Sequence, residues 1–361
     1  MKNLISDSKE IYNQTDRLLK KGVIRLQNNI RRQDLNSLYS KIKFSYNVFK
    51  QKKLLNLKYY VNKSYNIGDT KYIASECVDS IKKKKILTRY KYKNLIINFY
   101  DNRKISQTNK YYIKIVNRIL VLNKLYSNTH NILEINSSLS TNKRCLTDNI
   151  LGPNNVNGGV TLIGEYCFVY RKQEAYKVLV HELLHLFGYE LPYNIQATYM
   201  NKISTLLCYD SKHKLINESY VESTTTILNV IFFMIENNIP LKNIINLIKI
   251  EIGWSIIVAC KILLHNGFSN FDELLNRGNC KKIFKENSNV LSYYIIRSSL
   301  LYNIDYLLNI ILEKISIRDL NSKLVKILFS QKYIGVMNNV CVYLKKNKYS
   351  KNLRMSVFES R

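Results

Sequence analysis

The sequence predicts an α+β protein that is mostly helical. Three observations point that way. Proline occurs three times and glycine eleven times in 361 residues, too few breakers for a turn-dense all-β chain or a linker-rich one. Hydrophobic residues make up 46% of the chain and charged residues 23%, which supplies a core and excludes wholesale disorder. Strand-like and helical patterns alternate between residues 94 and 187, and helical patterns alone follow residue 217.

Residues 1–60 read as helical and basic, with apolar residues at loose three-to-four spacing. Residues 81–94, IKKKKILTRYKYKN, join a lysine block to alternating basic and aromatic residues. That pattern fits a nucleic-acid or localisation patch. It equally fits a solvated edge strand whose lysines oppose sheet-edge aggregation. Leu95 to Tyr100 is expected as a strand, Tyr111 to Tyr126 as an amphipathic helix, and Asn131 to Ile135 as a second strand. A loop rich in Asn, Ser, Thr and Gly, holding Pro153, is expected from Asn136 to Gly159. Val160 to Tyr170 (VTLIGEYCFVY) is β-branched and aromatic and predicts the strongest strand. Gln173 to Phe187 predicts a helix closed by Gly188, with Pro192 as a stop. Further helices are expected over 217–237, 241–265, 289–315 and 320–346, punctuated by Pro240 and by a turn at Asn266 and Gly267. Three regions follow: a basic, mostly helical 1–93, an α+β 94–212 and a helical 213–361.

Lysine and arginine number 56 against 26 acidic residues, a formal charge of +30. Residues 1–150 hold 31 of the basic and 10 of the acidic side chains, so nucleic acid, an anionic membrane or an acidic protein is an admissible partner for that half. The same counts fit lysines on solvated faces of a chain rich in Asn, Lys, Ile and Tyr throughout. The seven cysteines are scattered and never form CxxC, which predicts neither a disulfide framework nor a cysteine zinc site. The N-terminus is polar and lacks the apolar core of a secretory signal. Ile244 to Leu264 is interrupted by Lys249, Glu251 and Lys261, too many charges for a transmembrane segment. An intracellular, cytoplasmic protein with unpaired cysteines is the expectation.

Chemistry concentrates in residues 178–187, VLVHELLHLF. His181 and His185 are four apart, so a helix projects both imidazoles from one face. That arrangement lets two nitrogens reach one Zn²⁺ at about 2.0–2.1 Å. Glu182 lies beside the metal rather than on it, where it can take a proton from an activated water. With 5 histidines and 15 glutamates in the chain, about 0.003 accidental HExxH matches are expected.

This segment resembles the active-site helix of zincin metallopeptidases. Their extended pattern has Val or Thr three places before the first histidine, uncharged neighbours, and a hydrophobic residue two places after the second. Val178, Leu179, Leu183, Leu184, Leu186 and Phe187 satisfy it. The resemblance implies a zincin-like core, a small mixed sheet plus the active-site helix, with a helical C-terminal half. It implies a zinc cofactor and a protein or peptide substrate. Metzincin-like chains place a third ligand after HExxHxxGxx; here Gly188 matches but Leu191 occupies the ligand position. Gluzincins take a glutamate from a downstream helix, often after Asn. Asn217-Glu218-Ser219-Tyr220-Val221-Glu222 is similar, implying Glu218 as third ligand and Glu222 as a carboxylate that orients a zinc histidine, with Asn217 supporting. Asp210, His213, Glu190 and Glu222 are the alternative ligands. Tyr293, Tyr294 and Arg297 are candidate oxyanion or substrate contacts, against a packing role in the core. Strand 160–170 is expected to hold an extended peptide at its edge, with Gly158 and Gly159 permitting close approach. Two other functions compete with the peptidase reading: a nucleic-acid-associated protease or binder recruited through residues 1–150, and an inactive zincin-fold structural protein.

Overall fold

The computed structural model describes residues 4–26, 30–50, 53–54, 56–61, 73, 75–191, 193–209, 216–275, 278, 280–312 and 329–359. By its contacts the chain divides into a helical unit (Met1–Leu38, Cys145–Asn155, Leu191–Ser360) and a sheet unit (Tyr39–Arg144, Val156–Glu190). These divisions differ from the compositional boundaries at 93 and 212. The architecture is mixed α and β, with helix predominating.

In the sheet unit, six strands pair in the order β1-β2-β3-β4-β6-β5. They are β1 (Lys58–Val61), β2 (Ile86–Tyr92), β3 (Leu95–Asp101), β4 (Leu133–Ser140), β5 (Gly159–Leu162) and β6 (Tyr166–Arg171). β3, β4 and β6 run parallel; β1–β2, β2–β3 and β5–β6 are antiparallel. Two helices, α1 (Ser6–Lys20) and α2 (Arg32–Phe49), precede the first strand. Helix α4 (Lys110–Tyr126) makes the crossover from β3 to β4 that a parallel pair requires; Asn109 caps it by accepting from the Tyr111 amide at 3.0 Å. One sheet face is apolar and buried, with Leu95, Ile97, Phe99, Leu133, Ile135, Cys167 and Val169 in register. On the other face, Phe168 and Tyr170 meet Cys77, Val78 and Ile81 of α3 (Ser75–Lys82).

Three expectations change here. Val160 to Tyr170 is a hairpin rather than one strand: the chain turns at Ile163–Glu165, with Gly164 at φ +75°. The expected loop at 136–140 is strand, because Asn136 is satisfied sideways by the Asn98 amide at 3.0 Å and Ser137 pairs with Val169; further along that loop, Pro153 opens a short helix, α5 (Pro153–Val156). β2, inside the lysine-rich segment, is an interior strand with neighbours on both sides, so its cations are not edge protection.

The helical unit is built on α8 (Ile216–Glu236) and α9 (Ile244–His265), both buried over most of their lengths; each fully buried large apolar side chain contributes roughly 1.5–3 kcal/mol. α1 packs on α9, and α7 (Tyr193–Leu206) on α8. The expected helix 289–315 is broken into a π-helical turn (Leu291–Ile296), α10 (Arg297–Tyr302) and α11 (Ile304–Ile311). The break falls at Asn303, whose side-chain amide donates to the Ser299 carbonyl. Of the expected 320–346 helix, α12 spans Gln331–Lys346 behind a Ser330 cap; residues 320–328 lie outside the described residues.

Residues 353–358 pass through this core without joining a helix or sheet. Side chains hold their backbone. Tyr294 donates to the Leu353 carbonyl, Trp254 to that of Arg354, Arg297 to that of Met355 and Asn229 to that of Phe358. Glu251 accepts from the amides of Val357 and Phe358 and from the Ser356 hydroxyl. Burial raises the Glu251 carboxyl above its usual range, and these donors oppose the shift. No helix among the described residues is long and apolar enough to cross a membrane.

The expectation of wholly unpaired cysteines is corrected. Cys208 and Cys280 form a disulfide across 72 residues, while Cys77, Cys145, Cys167, Cys260 and Cys341 are free. The bond closes a loop containing α8 and α9, which the scattered spacing did not reveal. Alkylating the denatured, unreduced protein should label five thiols. Cys208→Ala should lower stability by about 4 kcal/mol, the loop-closure value for a ring of this length. Seven labelled thiols with unchanged stability would show that the bond does not form.

Candidate metal centre

Helix α6 (Ala175–Leu186) carries the paired histidines. Its sequence, AYKVLVHELLHL, contains neither proline nor glycine, and every residue is buried. Just before it, Glu174 has left-handed backbone (φ 62°), and its carboxylate receives the Arg144 guanidinium at 2.7 Å, both side chains buried. The end is equally defined. Gly188, at φ +69°, lets its own amide reach the His185 carbonyl and the Tyr189 amide the Leu184 carbonyl, a left-handed cap that turns the chain back on the helix. Helix α6 packs on β5, β6 and α4, which places His181, Glu182 and His185 against the edge of the sheet.

The two imidazoles face one another. Their Nε2 atoms are 3.1 Å apart and the rings are inclined at 70°. Two nitrogens at that separation can each lie about 2.05 Å from one cation with an angle of roughly 100° between the bonds, close to tetrahedral. The Glu190 carboxylate stands 2.6 Å from Nδ1 of His185. A carboxylate accepts, so Nδ1 carries the proton, and in the neutral ring Nε2 is then left with the lone pair that a metal ligand requires. The sequence offered Glu190 as an alternative ligand; its Oε1 is engaged with the histidine instead. His181 and His185 therefore offer a pair of imidazole nitrogens that could hold a metal ion.

Glu182 is held from the sheet side. The Thr161 hydroxyl of β5 donates to Oε2 at 2.6 Å. Gly159, two residues earlier on the same strand face, leaves the space the carboxylate fills: a Cβ built there would lie 2.5 Å from Oε1 and 2.6 Å from Cγ. Cys167, across from Thr161 in the hairpin, is wholly buried. Desolvation and then the Glu182 charge push its thiol well above the ordinary range, so it stays protonated and is not a thiolate ligand.

The helical unit holds the other residues that the sequence singled out. Glu218 and Glu222 lie in the first two turns of α8, Glu218 half-buried and Glu222 buried. Asn217, at the start of that helix, accepts from the Leu191 amide at 2.9 Å; it fixes the backbone at Leu191, itself apolar and buried. Tyr294 and Arg297 are fully buried and donate to the carbonyls of Leu353 and Met355, which is the packing role that the sequence left open. Tyr293 is half-buried. Asp210 and His213 lie outside the described residues. Sequence reasoning missed Thr161 and the role of Glu190. Strand alternation marks Thr161 as sharing a face with Gly159, and the Gly188 reversal is the signal for Glu190.

Gly159→Ala should leave the fold and His181 and His185 intact but displace the Glu182 carboxylate. Any hydrolytic activity that depends on Glu182 should fall by about 100-fold, the usual cost of a misplacement near 1 Å, with thermal stability lowered only modestly. Full activity in that variant would show that the carboxylate needs no such space. No protein-family model, curated protein or solved structure matches this chain.

Proposed function

We propose that this chain is a zinc-dependent peptide hydrolase of the gluzincin type. His181, His185 and Glu218 would be the metal ligands and Glu182 the general base. The observation that carries the reading is the pair of Nε2 atoms 3.1 Å apart on a buried helix, with the intervening Glu182 carboxylate anchored beside them. Glu218 is the carboxylate that the gluzincin resemblance would add to this histidine pair, completing a His/His/Glu donor set.

Bound Zn²⁺ would supply a Lewis acid and a water of lowered pKa. The residues do the rest. Glu182 accepts a proton from the attacking water and returns it to the leaving amine. Thr161, by holding Oε2, keeps the carboxylate from rotating away from that position. Glu190 fixes the ring of His185. β5 ends the sheet order and pairs on one side with β6, so its outer backbone groups can pair with an extended peptide. The retained base also separates this reading from an inactive scaffold, which has no use for a carboxylate held in that place.

Purified protein should carry one zinc per chain, and His181→Ala with His185→Ala should remove it. Stoichiometric zinc in the double variant would put the site elsewhere. Glu182→Gln should keep the metal and abolish peptide hydrolysis, because the amide is isosteric but cannot take the proton; a rate near wild type would take Glu182 out of the mechanism.

The third ligand has its own test. Glu218→Ala should weaken zinc affinity strongly, since an anionic ligand is removed. Glu222→Ala and Glu190→Gln should weaken it by about 10–100-fold, as groups that orient a ligand do. Near-wild-type affinity in Glu218→Ala and Glu222→Ala alike would exclude the gluzincin assignment.

A further inference from the structure

The lysine-rich segment is not among the residues proposed for peptide hydrolysis, and the structure removes the explanation that it guards a sheet edge. β2 is paired on both sides. Its alternate residues Thr88 and Tyr90 are buried, while Leu87, Arg89 and Lys91 face outward. Register places Tyr60 beside Leu87 and Lys58 beside Arg89 on the neighbouring strand, and Asn98 beside Arg89 on the other side. One face of β1–β3 therefore presents cations and an aromatic ring together, with the buried Asn98 accepting from Arg89.

The surroundings add charge of the same sign. Lys82, Lys83 and Lys85, where α3 ends and β2 begins, are exposed, as are Lys91 and Lys93. Among the described residues none of these five is in an ion pair. The nearby carboxylates are already engaged: Asp101 accepts from the Tyr112 hydroxyl and the Asn102 amide, and Glu134 accepts from Asn98. Asp79 is the exposed acid of α3. Tyr60 is 43% exposed; Tyr59, next to it on β1, pairs with Thr88 and points to the opposite face. The Lys104 ammonium lies 5.6 Å from the Tyr59 ring centre, and the Arg89 guanidinium 5.6 Å from that of Tyr60.

We propose that the outward face of β1–β3, with the lysines where α3 runs into β2, binds single-stranded nucleic acid. Cations that follow a backbone of phosphates, beside the exposed Tyr60 ring on which a base can stack, suit such a ligand. A single strand suits this face better than a duplex, because stacking on tyrosine needs bases already unstacked. Anionic membrane is the less suited partner: the outward Leu87 and Ile96 are only partly exposed, and the tyrosines carry hydroxyls beside cations. This activity is independent of zinc and of Glu182.

The test is fluorescence anisotropy of the full chain with labelled 12-residue oligothymidylate and oligouridylate across a salt series. Binding should weaken linearly in log affinity against log salt. The combined Lys82→Gln, Lys83→Gln, Lys85→Gln and Lys91→Gln variant should flatten that slope by about 0.7 for each phosphate that is no longer neutralised. Tyr60→Ala should lower affinity about 5- to 150-fold with the slope unchanged, the effect of removing one stacked base. Lys345→Gln with Lys346→Gln, exposed on α12 of the helical unit, should bind as wild type. Equal weakening in that control would show diffuse charge and overturn the site. So would equal affinity for a 12-base-pair duplex, an unchanged Tyr60→Ala, or binding to phosphatidylserine vesicles without binding to either oligonucleotide.

Discussion

Burying an ionisable helix is the constraint from which the sheet unit follows. Every residue of α6 is out of water, including two histidines and a glutamate. Such groups are tolerated only where something replaces the lost hydration. Three replacements are identifiable: Thr161 for Glu182, Glu190 for His185, and Arg144 for the Glu174 that precedes the helix. The same requirement dictates Gly159, since a side chain there would occupy the volume of the Glu182 carboxylate. A helix carrying only leucine and valine would need none of these. Their presence together is the physical reason to read the helix as a site rather than as core.

The helical unit meets a related demand differently. Four of its buried polar groups, Glu251, Arg297, Asn229 and Trp254, hydrogen-bond the backbone of residues 353–358. That segment lacks a strand neighbour, so side chains take the place of a ladder. Lys261 illustrates the cost. It lies over the Trp254 ring at 4.6 Å and contacts Ser350 and Asn352, yet burial still lowers its pKa to about 8.

Much of this was legible in the sequence. The HExxH spacing located α6 with His181, Glu182 and His185, Gly188 marked its end, and the apolar run after Asn217 marked α8. What escaped had non-local causes. The hairpin at 163–165 was hidden because β-branched residues flank Gly164 on both sides and look continuous. β4 ran on through polar residues because Asn98, 38 positions earlier in sequence, satisfies Asn136. The Cys208–Cys280 bond joins residues whose spacing carries no signal. The break at Asn303 depends on a local amide bond that periodicity does not register. The zincin resemblance rests on some ten residues, too short a stretch to specify the partners that hold them.

The helical unit is discontinuous in sequence, and its core is completed by residues near 358, with the Ile5 amide donating to the Glu359 carbonyl. Order of synthesis then separates the two units in time. The sheet unit is fully translated once residue 190 has emerged, whereas α1, α8 and α9 must wait for a segment made some 170 positions later. At 5–20 residues per second that interval is roughly 10–30 s. In the part of it that follows the synthesis of α9, the faces of α8 and α9 that this segment covers stay open to water. A nascent chain in this state is a client for holding chaperones, and ribosome stalling late in the message would expose its stickiest surface.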